Sequence, residues 1–113
     1  KKGWNNRIIS ISQPHLFSRT QNFHKEFAQA LFQSDLIIIT EIYAARENPI
    51  KGISSKNIIK DLINLGHSNI KYIPKRNNIA KYVKKITKSN DLIITMGAGD
   101  IWREIENIYK ILK

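Results

Sequence analysis

Cysteine is absent, and with it every chemistry a thiol would carry: a disulfide framework, a thiolate zinc site, a cysteine nucleophile. The absence fits a cytoplasmic protein, which is the expectation here. Long apolar runs are missing as well. No stretch approaches the roughly 18 to 20 residues that a bilayer span needs, and Lys1-Lys2-Gly3-Trp4 lacks the apolar core of a signal peptide. No membrane partner is expected. Acidic residues are few, 9 Asp and Glu against 19 Lys and Arg. No acidic cluster ends the first apolar run, which excludes a phosphoryl-accepting receiver domain. His15, His24 and His67 have no metal-ligand spacing, so no metal site is expected. A Walker loop, a complete dinucleotide fingerprint and a nucleophile elbow are also absent.

The resulting net charge of +10 raises the question of nucleic acid, because a basic footprint is what phosphate binding requires. Its distribution argues for a solvated surface. Lys56, Lys60, Lys81, Lys84, Lys85 and Lys88 are scattered over presumed outer helix faces, without the aromatic interleaving that stacks bases. A non-catalytic basic α/β module that binds nucleic acid is kept as the alternative from another class. At 113 residues with 42% hydrophobic side chains, the chain is expected to form one domain with its own core.

The apolar run Ile8-Ile9-Ser10-Ile11 leads into Gln13-Pro14-His15-Leu16-Phe17-Ser18-Arg19-Thr20 and then into a helical pattern, so this stretch reads as a strand-to-helix loop. Pro14 ends the strand. Ser18 with Gln21 fits a capping box that would start the helix at Arg19 and run it to about Gln33. The expected buried stripe is Phe23, Phe27, Ala30 and Leu31, with His24, Lys25, Glu26 and Gln29 on the wet side. Beside the helix N-terminus, Arg19 can grip a carboxylate or phosphate through two parallel hydrogen bonds, and His15 can donate, accept or titrate near neutral pH. The same residues equally fit a polar loop that faces water.

Asp35-Leu36-Ile37-Ile38-Ile39-Thr40 is apolar on consecutive positions, the signature of a strand buried on both faces of a parallel sheet. Its exit, Tyr43-Ala44-Ala45-Arg46-Glu47-Asn48-Pro49, then lies on the same sheet edge as the His15 loop, with Arg46 and Glu47 read as a local surface ion pair. Ser54 is the expected N-cap of a second helix whose buried face is Ile58, Ile59, Leu62 and Ile63 and whose end is Gly66. Ile70–Ile73 reads as a short strand near an edge, and about Asn78 to Thr87 as a helix. Asp91–Met96 reads as another continuous apolar strand. Gly97-Ala98-Gly99-Asp100 follows, a turn that allows close backbone approach or is simply a tight connection, and then a last helix with the stripe Ile101, Ile105, Ile108 and Leu112. Strands alternating with helices on both faces make an α/β three-layer sandwich with a mostly parallel sheet.

Three segments, Gln13-Pro14-His15-Leu16-Phe17-Ser18-Arg19-Thr20, Ile42-Tyr43-Ala44-Ala45-Arg46-Glu47-Asn48-Pro49-Ile50 and Gly97-Ala98-Gly99-Asp100-Ile101, resemble in order and spacing the C-terminal domain of the Mur ligases. Within that family the resemblance is to the member that joins L-alanine to UDP-N-acetylmuramate in peptidoglycan synthesis, with the member that re-attaches a recycled tripeptide as its rival. It implies a Rossmann-like fold, and that residues 1–113 are one domain, cut at its N-terminal end, of a three-domain enzyme. ATP and Mg2+ would be bound mainly outside this stretch, which is expected to be inactive alone and to hold no catalytic residue. The implied partners are the sugar nucleotide, L-alanine and the enzyme's own N-terminal and central domains. His15, Ser18 and Arg19 match the substrate-binding positions, and Tyr43, Glu47, Gly97 and Gly99 the supporting loops. The sequence departs from the family's pattern at Ser12, where an aromatic is frequent, at Leu16, where a second arginine is frequent, and at Arg46, where glycine is usual.

Overall fold

Four isoleucine-rich strands line up side by side in the computed structural model, which describes residues 7–88 and 90–97. They are β1 (Ile8–Gln13), β2 (Leu36–Ile39), β3 (Ile70–Tyr72) and β4 (Leu92–Gly97), in the order β3-β2-β1-β4 and all parallel. Their registers set Ile9 opposite both Leu36 and Ile93, and Ile37 opposite Ile70. Three helices connect them: α1 (Phe17–Leu31), α2 (Lys56–Asn64) and α3 (Ile79–Ile86), the last entered through a 3₁₀ turn at Arg76–Asn78. The α/β three-layer reading therefore holds.

Every residue of β2 is buried, as its unbroken apolar run requires. Because successive side chains point to opposite faces, β2 feeds two cores. On one face Ile9, Ile11, Leu36 and Ile38 pack with Ile73, Ile79 and Val83 under α3. On the other, Ile37 and Ile39 pack with Ala28 and Leu31 of α1 and Ile58 and Leu62 of α2. Each fully buried Ile or Leu contributes roughly 1.5–3 kcal/mol relative to exposure, so the doubly covered strand is where the sheet is strongest. The shorter β3 has a half-buried pattern and lies at one end of the sheet, closed by Pro74, as expected.

Helix α2 has Ser55 at its N-cap position, one residue after the expected Ser54 and without a side-chain cap bond of its own, while Ser54 supplies a reciprocal pair of bonds just ahead of it. The Lys56 N–H donates to Ser54 Oγ at 3.1 Å, and the Ser54 N–H to Asn57 Oδ1 at 2.7 Å. It ends at Gly66 (φ 100°), whose N–H donates to Ile63 O while the His67 N–H reaches back to Leu62 O. This pair of bonds is the Schellman closure, in which glycine takes the left-handed position.

Three expectations need correction. Helix α1 starts at Phe17, and its inward face is Thr20, Ala28 and Leu31, with Phe27 partly covered; Phe23 and Ala30 are exposed. The stripe is turned by one residue because two polar side chains on it have partners of their own: Thr20 Oγ1 donates to Leu16 O, and His24 pairs with Asp61 of α2. Phe23 also has non-helical angles (φ −131°, ψ 15°), which puts a kink where the stripe was counted. In α2, Ile63 is 58% exposed, about 100° around the helix from Leu62. Strand β4 is only half-buried, with Ile94 open to solvent, rather than enclosed like β2. Gly99, Asp100 and the last helix lie outside the described residues.

Candidate functional site

From β1 the chain moves to β2 on one side, while β4 joins β1 on the other. The strand order reverses between β1 and β4, and in an open parallel sheet the crevice above that reversal is the favoured place for a ligand. The exits of β1 and β2 are joined beside it. The Leu16 N–H donates to Tyr43 O at 2.8 Å and the Tyr43 N–H to Pro14 O at 2.8 Å, so His15 and Tyr43 form a parallel bridge. Their rings meet edge to face, centroids 5.8 Å apart. The convergence of the two polar loops expected from the sequence is thus realised.

The start of α1 differs from the expected capping box. Leu16 stands at the N-cap position (φ 69°, ψ 139°) and offers no side-chain acceptor. The acceptor comes from the second loop: the Ser18 N–H donates to Glu47 Oε1 at 2.9 Å. A carboxylate at the positive pole of a helix makes a charge-assisted bond that a local hydroxyl cannot match. Hydrogen bonding from Ser18, hydroxyl first and N–H second, holds the Glu47 carboxyl below its ordinary value, with smaller help from the Phe17 N–H and the His15 charge. Glu47 is therefore committed to α1, which corrects its reading as half of a local pair with Arg46.

A cleft of about 310 Å³ opens over the reversal point. Ser12, Gln13, His15 and Arg19 supply its polar side, and Pro14, Phe27, Leu31, Ile58 and Met96 its apolar lining. Gln13 Oε1 is buried there with no hydrogen-bond partner among the described residues. Gly97 forms the wall (φ 142°): a Cβ on it would lie 2.4 Å from Gln13 O, so only glycine lets β4 end this close to β1. Of the residues singled out from the sequence, His15, Arg19 and Gly97 line the cleft, Tyr43 backs His15, and Ser18 with Glu47 forms the helix pole beside it. Gly99 lies outside the described residues. Gln13 was not singled out, although a polar residue at the last position of a strand, just before proline, is the signal that marks it.

An arginine, an imidazole and an amide oxygen beside an apolar lining suit a small molecule with one anionic end and a small apolar body. The donor set does not fit a divalent cation. Among the described residues no group of three or more His, Asp or Glu side chains comes together.

Fold and strand order define the class: a doubly wound α/β domain with its polar loops gathered on the carboxyl edge of a parallel sheet. Comparison with known families makes the class specific. The sequence profile of the Mur ligase, glutamate ligase domain matches residues 1–99, and the chain belongs to that family. Curated relatives carry the name UDP-N-acetylmuramate–L-alanine ligase. That of Geotalea uraniireducens is 37% identical over 113 residues, all of this chain and 25% of the relative. That of Prochlorococcus marinus is 48% identical over 104 residues, 91% of this chain and 21% of the relative. That of Syntrophotalea carbinolica is 36% identical over 101 residues, 89% and 22% respectively. The chain thus spans about a quarter or less of the length of these relatives.

Proposed function

We propose that this chain is the C-terminal domain of an ATP-dependent ligase that adds L-alanine to UDP-N-acetylmuramate in peptidoglycan synthesis. Support comes from the family membership, from the names of the relatives, and above all from one observation: Arg19, His15 and the buried Gln13 oxygen stand together at a small apolar-lined cleft. In the proposed reaction a phosphoryl group activates the muramate carboxylate, the L-alanine nitrogen forms the new C–N bond, and phosphate leaves with the electrons of the broken C–O bond.

The part of this domain is to present the amino acid. Arg19 holds the L-alanine carboxylate through paired hydrogen bonds and keeps it away from the reacting carboxyl, so the amine is the end left to react. Arginine suits that task better than lysine because its planar fork fixes orientation as well as charge. Gln13 Oε1 offers an acceptor to the ammonium, and His15, braced by Tyr43, offers a ring nitrogen beside it. The apolar lining of Phe27 and Met96 fits a methyl side chain. Sugar nucleotide, ATP and Mg2+ would be held mainly by the domains outside this chain, and the assembled enzyme would work in the cytoplasm.

The test is phosphate release by the full-length protein with ATP, UDP-N-acetylmuramate and either L-alanine or the recycled tripeptide. Release that depends on L-alanine is the expected result. Release with the tripeptide alone would reassign the domain to the recycling ligase, and no release with either would overturn the ligase reading.

A further inference from the structure

The N-cap position of helix α1 is held by a leucine. The N–H groups ahead of Thr20 lack intrahelical acceptors, and the Leu16 side chain has nothing to offer them. A serine, threonine or aspartate at that position would cap the helix locally. Here the acceptor is Glu47, 29 residues away on the β2 exit loop. The carboxyl sits below its ordinary value and so stays ionised throughout the neutral range.

Both loops joined by this contact are strained. Leu16 (φ 69°) and Ala45 (φ 53°) are non-glycine residues in the left-handed region, each within two residues of the Ser18–Glu47 contact. Such backbone persists only where its surroundings over-determine it. The surroundings here are the Leu16–Tyr43 and Tyr43–Pro14 backbone bonds, the turn closed by the Glu47 N–H on Ala44 O, and the Glu47 carboxylate itself. Arg19 is the next residue after the N–H that Glu47 holds.

We propose that Glu47 is a positioning residue for the amino-acid site: as the resident anion of the α1 N-terminus it locks the Tyr43 loop to the turn bearing Arg19 and leaves Arg19 as the place for a substrate carboxylate. This rests on the reading of Arg19 as the carboxylate grip. Because the helix pole already holds a negative charge, a second carboxylate is repelled from it and directed along the polar side of the cleft. Because the cap comes from a distant loop, the position of Arg19 depends on the position of Tyr43, a dependence that a local cap would lack.

The experiment measures steady-state kinetics of the full-length enzyme as Glu47→Gln, Glu47→Ala, Arg19→Ala and the double variant Leu16→Asn with Glu47→Ala, together with each melting temperature. Asparagine accepts both the N-cap role and positive φ, so the double variant recaps α1 without rejoining the loops. Loss of positioning predicts that KM for L-alanine rises about tenfold in Glu47→Ala, less in the isosteric Glu47→Gln, with KM for ATP unchanged. The double variant is expected to recover melting temperature but not KM. The proposal is overturned if both single Glu47 variants keep the wild-type KM for L-alanine, or if the local cap restores it, since Glu47 would then be a cap and nothing more. Glu47→Gln decides the matter if Glu47→Ala does not fold. An Arg19→Ala enzyme with an unchanged KM for L-alanine would instead remove the underlying reading of the site.

Discussion

At Gly97 the end of β4 passes so near β1 that a single added carbon would sit 2.4 Å from the Gln13 carbonyl oxygen. The backbone angle there (φ 142°) is one that side chains resist as well. Strain of roughly 1–3 kcal/mol adds to overpacking of similar size, so Gly97→Ala is expected to lower the unfolding free energy by about 2–4 kcal/mol, read from a denaturant midpoint. A midpoint within experimental scatter of the wild type would show that β4 ends away from Gln13. The glycine turn was legible in the sequence as a close approach. What it approaches was not, because that depends on which strand lies beside β4. Ser18 tells the same story: its capping role was plausible from Gln21 nearby, but the acceptor that prevails comes from residue 47, beyond the reach of any local pattern. Arg19 and His15 were singled out by identity alone, a cation and an imidazole between a strand and a helix, and both line the cleft.

Among the elements, the N-terminal ends of β1 and β4 are pinned by one ion pair. Arg7 Nε and Nη2 donate to the two Asp91 oxygens at 3.2 and 2.6 Å, Arg7 Nη2 also reaches Ile86 O, and the Lys88 N–H donates to Asp91 Oδ2 at 2.8 Å. The Asp91 side chain is 5% exposed. Hydrogen bonding from Arg7 holds the Asp91 carboxyl below its ordinary value, and the same bond raises Arg7 further above the working range. For a depressed carboxyl the stability is complete above the unfolded-state value, near 4, and is lost as pH falls through the lower folded value. Asp91→Asn is therefore expected to cost about 2 kcal/mol at pH 7 and to show a flatter loss of stability than the wild type on acidification below about pH 4. Parallel acid titrations of the two proteins, followed by circular dichroism, check it; identical slopes would contradict it. In the second core, Leu62 is fully buried against α1 and the sheet, and Leu62→Ala is expected to cost about 2–5 kcal/mol in the same denaturation assay. Strands and helices were legible because unbroken isoleucine runs and helical spacing are local signals. The inward face of α1 was not, since Thr20 and His24 look hydrophilic until Leu16 O and Asp61 are seen beside them.

Across the molecule, the carboxyl edge of the sheet gathers one arginine, one histidine and a backbone-braced loop pair at the cleft. Net charge of +10 by itself points toward polyanions; only the cleft at the strand reversal narrows the proposed ligand to something small with one anionic end. The crevice is a property of strand order, which no single motif states, and it became visible once β4 was seen beside β1. Described residues include no helix long and apolar enough to cross a membrane. The proposed division of labour, with amino-acid capture here and nucleotide chemistry in other domains, makes Arg19 its central element. The most direct measurement is KM for L-alanine in the full-length enzyme and its Arg19→Ala and Arg19→Lys variants, followed by phosphate release at saturating ATP and UDP-N-acetylmuramate. Loss of a charge-assisted pair of bonds predicts a rise of about 10- to 100-fold in the alanine variant, with lysine recovering only part of it. A KM for L-alanine that stays at the wild-type value in both variants would contradict the assignment of this cleft to the amino-acid substrate.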